Sequence, residues 1–245
     1  MKKVYQVLLL PVAAIALFLL FNALTPAIFK TDRSIEAQII ISTELKNISQ
    51  DEIDGVKKEA WKALKFIPPL LSINYQKAIE IKIVDKGGIC NAIGGTVSLL
   101  ITHIRDKSAP IIHEVTHVLT KHEQNSFFSE GLAVYFQERF GDNSTFPNFS
   151  EPLDSLMRKN KDQYVPITQL LNDNEIFGQV ETEQRKLAYL TAGSFISFLV
   201  EKYGEQKLAD LHNSRTLNYK RVYGKEIYEL EEEWKTHVFV ELHSI

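Results

Sequence analysis

Residues 79–122, IEIKIVDKGGICNAIGGTVSLLITHIRDKSAPIIHEVTHVLTKH, change their hydrophobic period part-way along, and that change decides the fold. Residues 79–85 alternate apolar and charged side chains, the period-2 pattern of a half-buried strand, and residues 96–103 read as a second strand. Gly87-Gly88 and Gly94-Gly95 bracket the turn between them. From Ser108, a suitable N-cap, residues 109–122 read as a helix with Pro110 tolerated in its first turn. Upstream, residues 36–42 have strand composition, and residues 49–67 form a helix opened by the capping box Ser49-x-x-Glu52 and stopped by Pro68-Pro69. Downstream the chain turns helical over residues 127–140, 183–203, 205–213 and 225–242, while residues 141–180, rich in Asn, Asp, Pro and Ser, suit loops rimming a cleft. Strands followed by helices predict an α+β domain: a small mixed sheet with an edge strand beside the 109–122 helix, then a mainly helical C-terminal part.

His113-Glu114-Val115-Thr116-His117 is the chemical centre of that stretch. On a helix, positions i and i+4 share a face one turn apart, so His113 and His117 can turn both imidazoles to one ion. Glu114, one residue round, lies outside the ligand set but close enough to hold a water beside the metal. A catalytic zinc ion takes three protein ligands and keeps one position open, which calls for a third ligand. Glu130, at the start of the next helix, is the best candidate. His122 is nearly off the ligand face and reads as a solvated histidine at a helix end. His103 reads as a structural strand-end residue, and His212, His237 and His243 show no paired spacing.

With 24% charged residues, a formal net charge of -3 and a pI near 6.2, the chain lacks the clustered basic excess of a nucleic-acid binder. Its one cysteine, Cys90, excludes an intramolecular disulfide and a Cys-x-x-Cys metal site, so a metal must be held by His and carboxylate. Lys2-Lys3 precede an uncharged apolar run over residues 4–29, long enough to cross a bilayer as a helix. A retained signal anchor is favoured over a cleaved signal peptide because no small-x-small cleavage site follows. The two lysines then leave the N-terminus in the cytoplasm and the remaining chain, residues 30–245, outside; with cleavage it would be secreted.

These residues resemble those of the gluzincin metallopeptidases, and within them the peptidase MA-like domain, over roughly residues 79–240. The matching pieces are HEVTH at 113–117, SEGLAVYF at 129–136, YLTAGSFISFLVEKYG at 189–204 and VYGKEIYELEEEW at 222–234. The resemblance implies one zinc ion on His113, His117 and Glu130, Glu114 as general base, and Tyr189 as the donor that stabilises the oxyanion. Gluzincin aminopeptidases carry a Gly-x-Met-Glu-Asn loop whose Glu grips the free amine of the substrate. Here the matching residues are Gly87-Gly88-Ile89-Cys90-Asn91, and a neutral thiol supplies no counter-charge, so an endopeptidase is favoured over an aminopeptidase. A metal-binding assembly module without activity is the alternative of another class.

The expected substrate is a peptide or protein, laid as an added strand along residues 96–103, with the loops at 141–180 setting specificity. Tyr203-Gly204 reads as a helix terminus with a glycine cap, Trp234 as an anchor, and Glu231–Glu233 as a solvated face.

Overall fold

Isoleucine at alternate positions builds the sheet of this computed structural model, which describes residues 38–87, 89–122, 125–179 and 182–240. The strands are β1 (Ile39–Thr43), β2 (Ile79–Val84), β3 (Asn91–Ile93) and β4 (Thr96–Leu100), in spatial order β1-β2-β4-β3. β1, β2 and β4 run parallel, with Ile41 opposite Ile81 and Ile83 opposite Leu99, and β3 returns antiparallel to β4. Ile79, Ile81 and Ile83 are buried while Glu80 and Lys82 are exposed, so one sheet face meets the core and the other meets water.

Helix α1 (Gln50–Leu70) covers the buried face with Val56, Ala60, Ala63, Leu64 and Ile67, at helical spacing. Its N-terminus is the expected capping box: Glu52 N donates to Ser49 Oγ, and Ser49 N to Glu52 Oε2 at 2.6 Å. Those bonds and the Arg105 guanidinium hold the Glu52 carboxyl down at about 2. Pro68-Pro69 do not stop the helix where the sequence suggests. Both rings fit helical φ in its last turn, and the chain leaves only at Ser72, φ 54°, after Leu71 N donates to Ile67 O.

The second expected strand also ends early. Leu99, Leu100 and Ile101 are buried in succession, which alternation does not allow, and the chain coils into α2 (Ile101–Arg105). His103 is therefore helical rather than at a strand end, and the strand on the outer side of β4 is β3, in the segment read as a turn. The metal-motif helix α3 (Ile111–Thr120) is shorter than expected at both ends. Ser108 does not cap it, Pro110 occupies the N-cap position, and Lys121 closes it in the left-handed conformation at φ 54°.

The remaining helices are α4 (Ser126–Phe140), α5 (Leu153–Lys159), α6 (Ile167–Leu170), α7 (Glu175–Gly178), α8 (Glu183–Tyr203), α9 (Glu205–His212), α10 (Tyr219–Tyr223) and α11 (Ile227–Phe239). Residues 141–180 thus contain three short helices rather than loops alone. Gly204 ends α8 at φ 86°, as expected. Trp234 of α11 is wholly buried and donates Nε1–H to Ser194 Oγ at 2.9 Å, locking α11 to α8. Emptying such a site costs about 3–5 kcal/mol.

The acidic run beside Trp234 is only partly a solvated face. Glu231 is buried and its carboxylate accepts from Ile167 N at 3.0 Å and Thr168 N at 3.4 Å, capping α6. Glu233 pairs with Lys202 and Lys225. Residues from Ile39 onward form one compact unit. No helix among the described residues is long and apolar enough to cross a membrane, and the anchor expected over residues 4–29 lies outside them.

Candidate metal centre

α3 and α4 meet so that three side chains separated in sequence converge on one point. His113 Nε2 and His117 Nε2 lie 3.1 Å apart, and Glu130 Oε2 stands 3.1 Å from the first and 3.4 Å from the second. A tetrahedral ion with bonds of about 2.0–2.2 Å holds its ligand atoms roughly 3.3–3.6 Å apart, close to these separations. Glu130 Oε2 is buried, yet neither imidazole meets it with hydrogen-bond geometry. A buried carboxylate oxygen without a donor is costly unless a cation takes its place. The donor set, two imidazoles and a carboxylate, therefore fits a metal ion, and it is the one such group among the described residues.

Each of the three side chains is held by its own local device. His117 turns Nε2 to the cluster and its Nδ1 is hydrogen-bonded with Ser129 Oγ at 3.0 Å, the kind of contact that fixes the orientation of an imidazole facing a metal. His113 is held from the backbone: its N–H, left free in the first turn of α3, donates to Gln137 Oε1 at 3.1 Å. Gln137 fits only because residue 141 is glycine, since a Cβ there would stand 2.0 Å from Gln137 Nε2. Glu130 is placed by the close approach of α4 to α8. A Cβ on Gly131 would stand 2.8 Å from Ala192 O, and one on Gly193 2.4 Å from Val134 Cγ1. Only glycine at both positions allows that separation.

Charge is sorted across the cluster. Burial opposes ionisation of Glu130, but both imidazoles outweigh it and hold the carboxyl far below the usual range. Burial likewise opposes protonation of His117, and Glu130 outweighs it in turn, raising the imidazole. Glu114 goes the other way. Burial raises its carboxyl, the imidazoles offset this only in part, and the charge of Glu130 adds to it. Glu114 faces the cleft with a carboxylate that no protein donor ties down among the described residues. A buried carboxyl raised in this way beside a cluster of candidate metal ligands marks a candidate for proton transfer.

The cleft beside the cluster measures about 1310 Å³, larger than a pocket for one small molecule. Its walls are the β3–β4 hairpin, α3 and the N-terminal part of α8. Tyr189, on α8, belongs to the site: its ring stacks 6.2 Å from that of His113. Its hydroxyl donates to Phe177 O at 3.3 Å and accepts from Arg185 Nη2 at 3.4 Å. Burial, with the nearby charge of Glu130, pushes its phenol well up. Cys90 also lines the cleft, its thiol 3.4 Å from His103 Nδ1 and pushed up by burial to about 11, so it is neutral.

Two histidines expected to stand apart are paired. His122, beyond the end of α3 rather than on it, lies with Nε2 2.8 Å from Nδ1 of His212. Their residues are 90 apart, so no spacing rule could join them. His237 lies near Asp154 and Glu201, and His243 falls outside the described residues. Ser129, Gln137 and Arg185 join the site without a motif in the sequence to mark them. Arg185 alone left a signal, four positions before Tyr189 and so on the same helix face.

Comparison with known proteins gave no match: no family model, no curated relative and no solved structure aligns with this chain.

Proposed function

We propose that this chain is a zinc-dependent metallopeptidase of the gluzincin type, anchored by residues 4–29 and working outside the cytoplasm on peptide or protein substrates. The observation that carries the reading is Glu114. A metal site serving structure alone needs His113, His117 and Glu130, and has no use for a buried carboxylate left without a donor on the cleft side.

His113, His117 and Glu130 would hold the ion, and two imidazoles with one carboxylate suit zinc. When bound, zinc supplies Lewis acidity, lowering the pKa of water towards about 7 and polarising a peptide carbonyl. Glu114 takes the proton of the attacking water and passes it to the leaving amine. Its raised pKa brings its basicity towards the working pH. Tyr189 gives up Phe177 O and donates its hydroxyl proton towards the negative charge that grows on the substrate carbonyl oxygen. The cleft has room for an extended peptide, and its sheet-side wall is β3 rather than β4, so a substrate strand would lie along Asn91–Ile93. The neutral thiol of Cys90 offers a substrate amine no counter-charge, which supports an endopeptidase over an aminopeptidase.

The test uses the purified full-length chain, its zinc content and its cleavage of an unfolded protein. Glu114→Gln is expected to keep one zinc per chain and lose about 10²–10⁴-fold in rate, and His113→Ala to lose both zinc and activity. Stoichiometric zinc with no cleavage, or full cleavage by Glu114→Gln, would overturn the proposal.

A further inference from the structure

Arg185 is the one guanidinium on the cleft among the described residues, and it is already held in place. Its Cζ lies 5.3 Å from the ring centre of Phe146 and 5.1 Å from that of Tyr189. Nε donates to Phe177 O at 3.1 Å and Nη2 reaches Tyr189 Oη at 3.4 Å. A guanidinium has five N–H donors, so three remain without a partner among the described residues. No carboxylate of the described residues lies within ion-pair distance of it. Stacking has thus removed the rotamer freedom that binding would otherwise cost, while the charge is left unmatched among the described residues.

The rest of the cleft has the same bias. Lys77 and Lys121 stand exposed on its rim. Of its carboxylates, Glu130 lies against the two imidazoles in the candidate metal centre and Glu114 faces the reacting centre, which leaves Glu80, accepting from Thr96 Oγ1 at 3.4 Å. Arg185 is separated from the metal ligand His113 only by the Tyr189 ring, in steps of 6.2 and 5.1 Å. An extended chain advances about 3.3–3.6 Å per residue, so the guanidinium is within about three residues of the scissile bond.

We infer that Arg185 receives a carboxylate of the substrate, so that the peptides preferred are those carrying negative charge within about three residues of the bond cut. The inference rests on the peptidase reading. The carboxylate can come from an Asp or Glu side chain or from the peptide C-terminus, because a planar fork of donors suits both.

Peptides are compared in sets that differ only in charge: Glu or Asp against Gln or Asn, and a free against an amidated C-terminus. Cleavage is measured with the full-length chain, and binding by fluorescence anisotropy with the zinc-loaded Glu114→Gln chain, with and without Arg185→Gln. The expected result is a preference of about ten-fold or more for the charged member. It collapses towards one in Arg185→Gln and is partly kept in Arg185→Lys. The set that shows the preference identifies the source of the carboxylate. A ratio near one in the parent chain, an unchanged ratio in Arg185→Gln, or equal loss of charged and neutral peptides in both variants would overturn the inference. Where no peptide is cleaved, the peptidase reading fails, and the binding ratio still decides Arg185 by the same criteria.

Discussion

Tyr189 shows how much one hydroxyl can carry. Its ring lies against His113 and its oxygen is shared between Phe177 O and Arg185 Nη2, so the phenol is both a packing element and a donor beside the cluster. Replacement by Phe keeps the ring and removes only the O–H. Tyr189→Phe is expected to bind zinc normally and to lose about 10²–10³-fold in kcat with little change in KM, as removal of an oxyanion donor does. Steady-state kinetics beside a zinc assay decide it, and unchanged kcat would reduce Tyr189 to packing. Glu114 and Arg185 differ from Tyr189 in kind: among the described residues one is a carboxylate without a donor and the other a cation without a carboxylate partner.

At the scale of elements, the centre depends on how closely α4 and α8 approach. Gly193→Ala puts a methyl group 2.4 Å from Val134 Cγ1 and 3.2 Å from Leu153 Cδ1. It is expected to cost about 1–3 kcal/mol, as overpacking does, and to weaken zinc binding by moving Glu130. Val134→Ala removes the nearest obstacle. The double variant should therefore lose about 1 kcal/mol less than the sum of the two single losses, read from urea midpoints in a double-mutant cycle. Gly131→Ala meets the backbone oxygen Ala192 O at 2.8 Å and admits no such rescue. Strict additivity of Gly193→Ala and Val134→Ala would show that the helices yield elsewhere.

The whole molecule contributes through its long-range pairs, and His122 with His212 is one that titrates. Burial, with the neighbouring imidazole, lowers His212 from 6.5 to about 4, and burial lowers His122 as well. The folded state therefore disfavours their protonated forms. The stability that neutral His212 contributes is complete above the unfolded pKa of 6.5 and is lost as pH falls towards about 4. Urea midpoints taken with chelator present, so that acid release of metal does not intrude, should fall across that window. His212→Gln is expected to make the fall shallower, and an unaltered slope would place the acid sensitivity in other groups.

Periodicity and pairing within the chain determined much of this protein. Alternation in residues 79–85 marked β2, Ser49 with Glu52 opened α1, and the spacing of His113 and His117 placed two imidazoles on one helix face, because all three depend on neighbours along the backbone. Glu130 was legible as an acidic residue opening the next helix. Its convergence to 3.1 and 3.4 Å of the histidines was not, since that distance depends on Gly131 and Gly193 letting α4 and α8 meet. The cap of α3 came from Gln137 rather than Ser108, and the cap of α6 from Glu231, because a buried N–H accepts any oxygen that packing brings to it. The strand β3 and the His122–His212 pair likewise exist only through partners distant in sequence or too short to show a period. Local chemistry selected the candidate metal ligands, and tertiary packing brought them to one point.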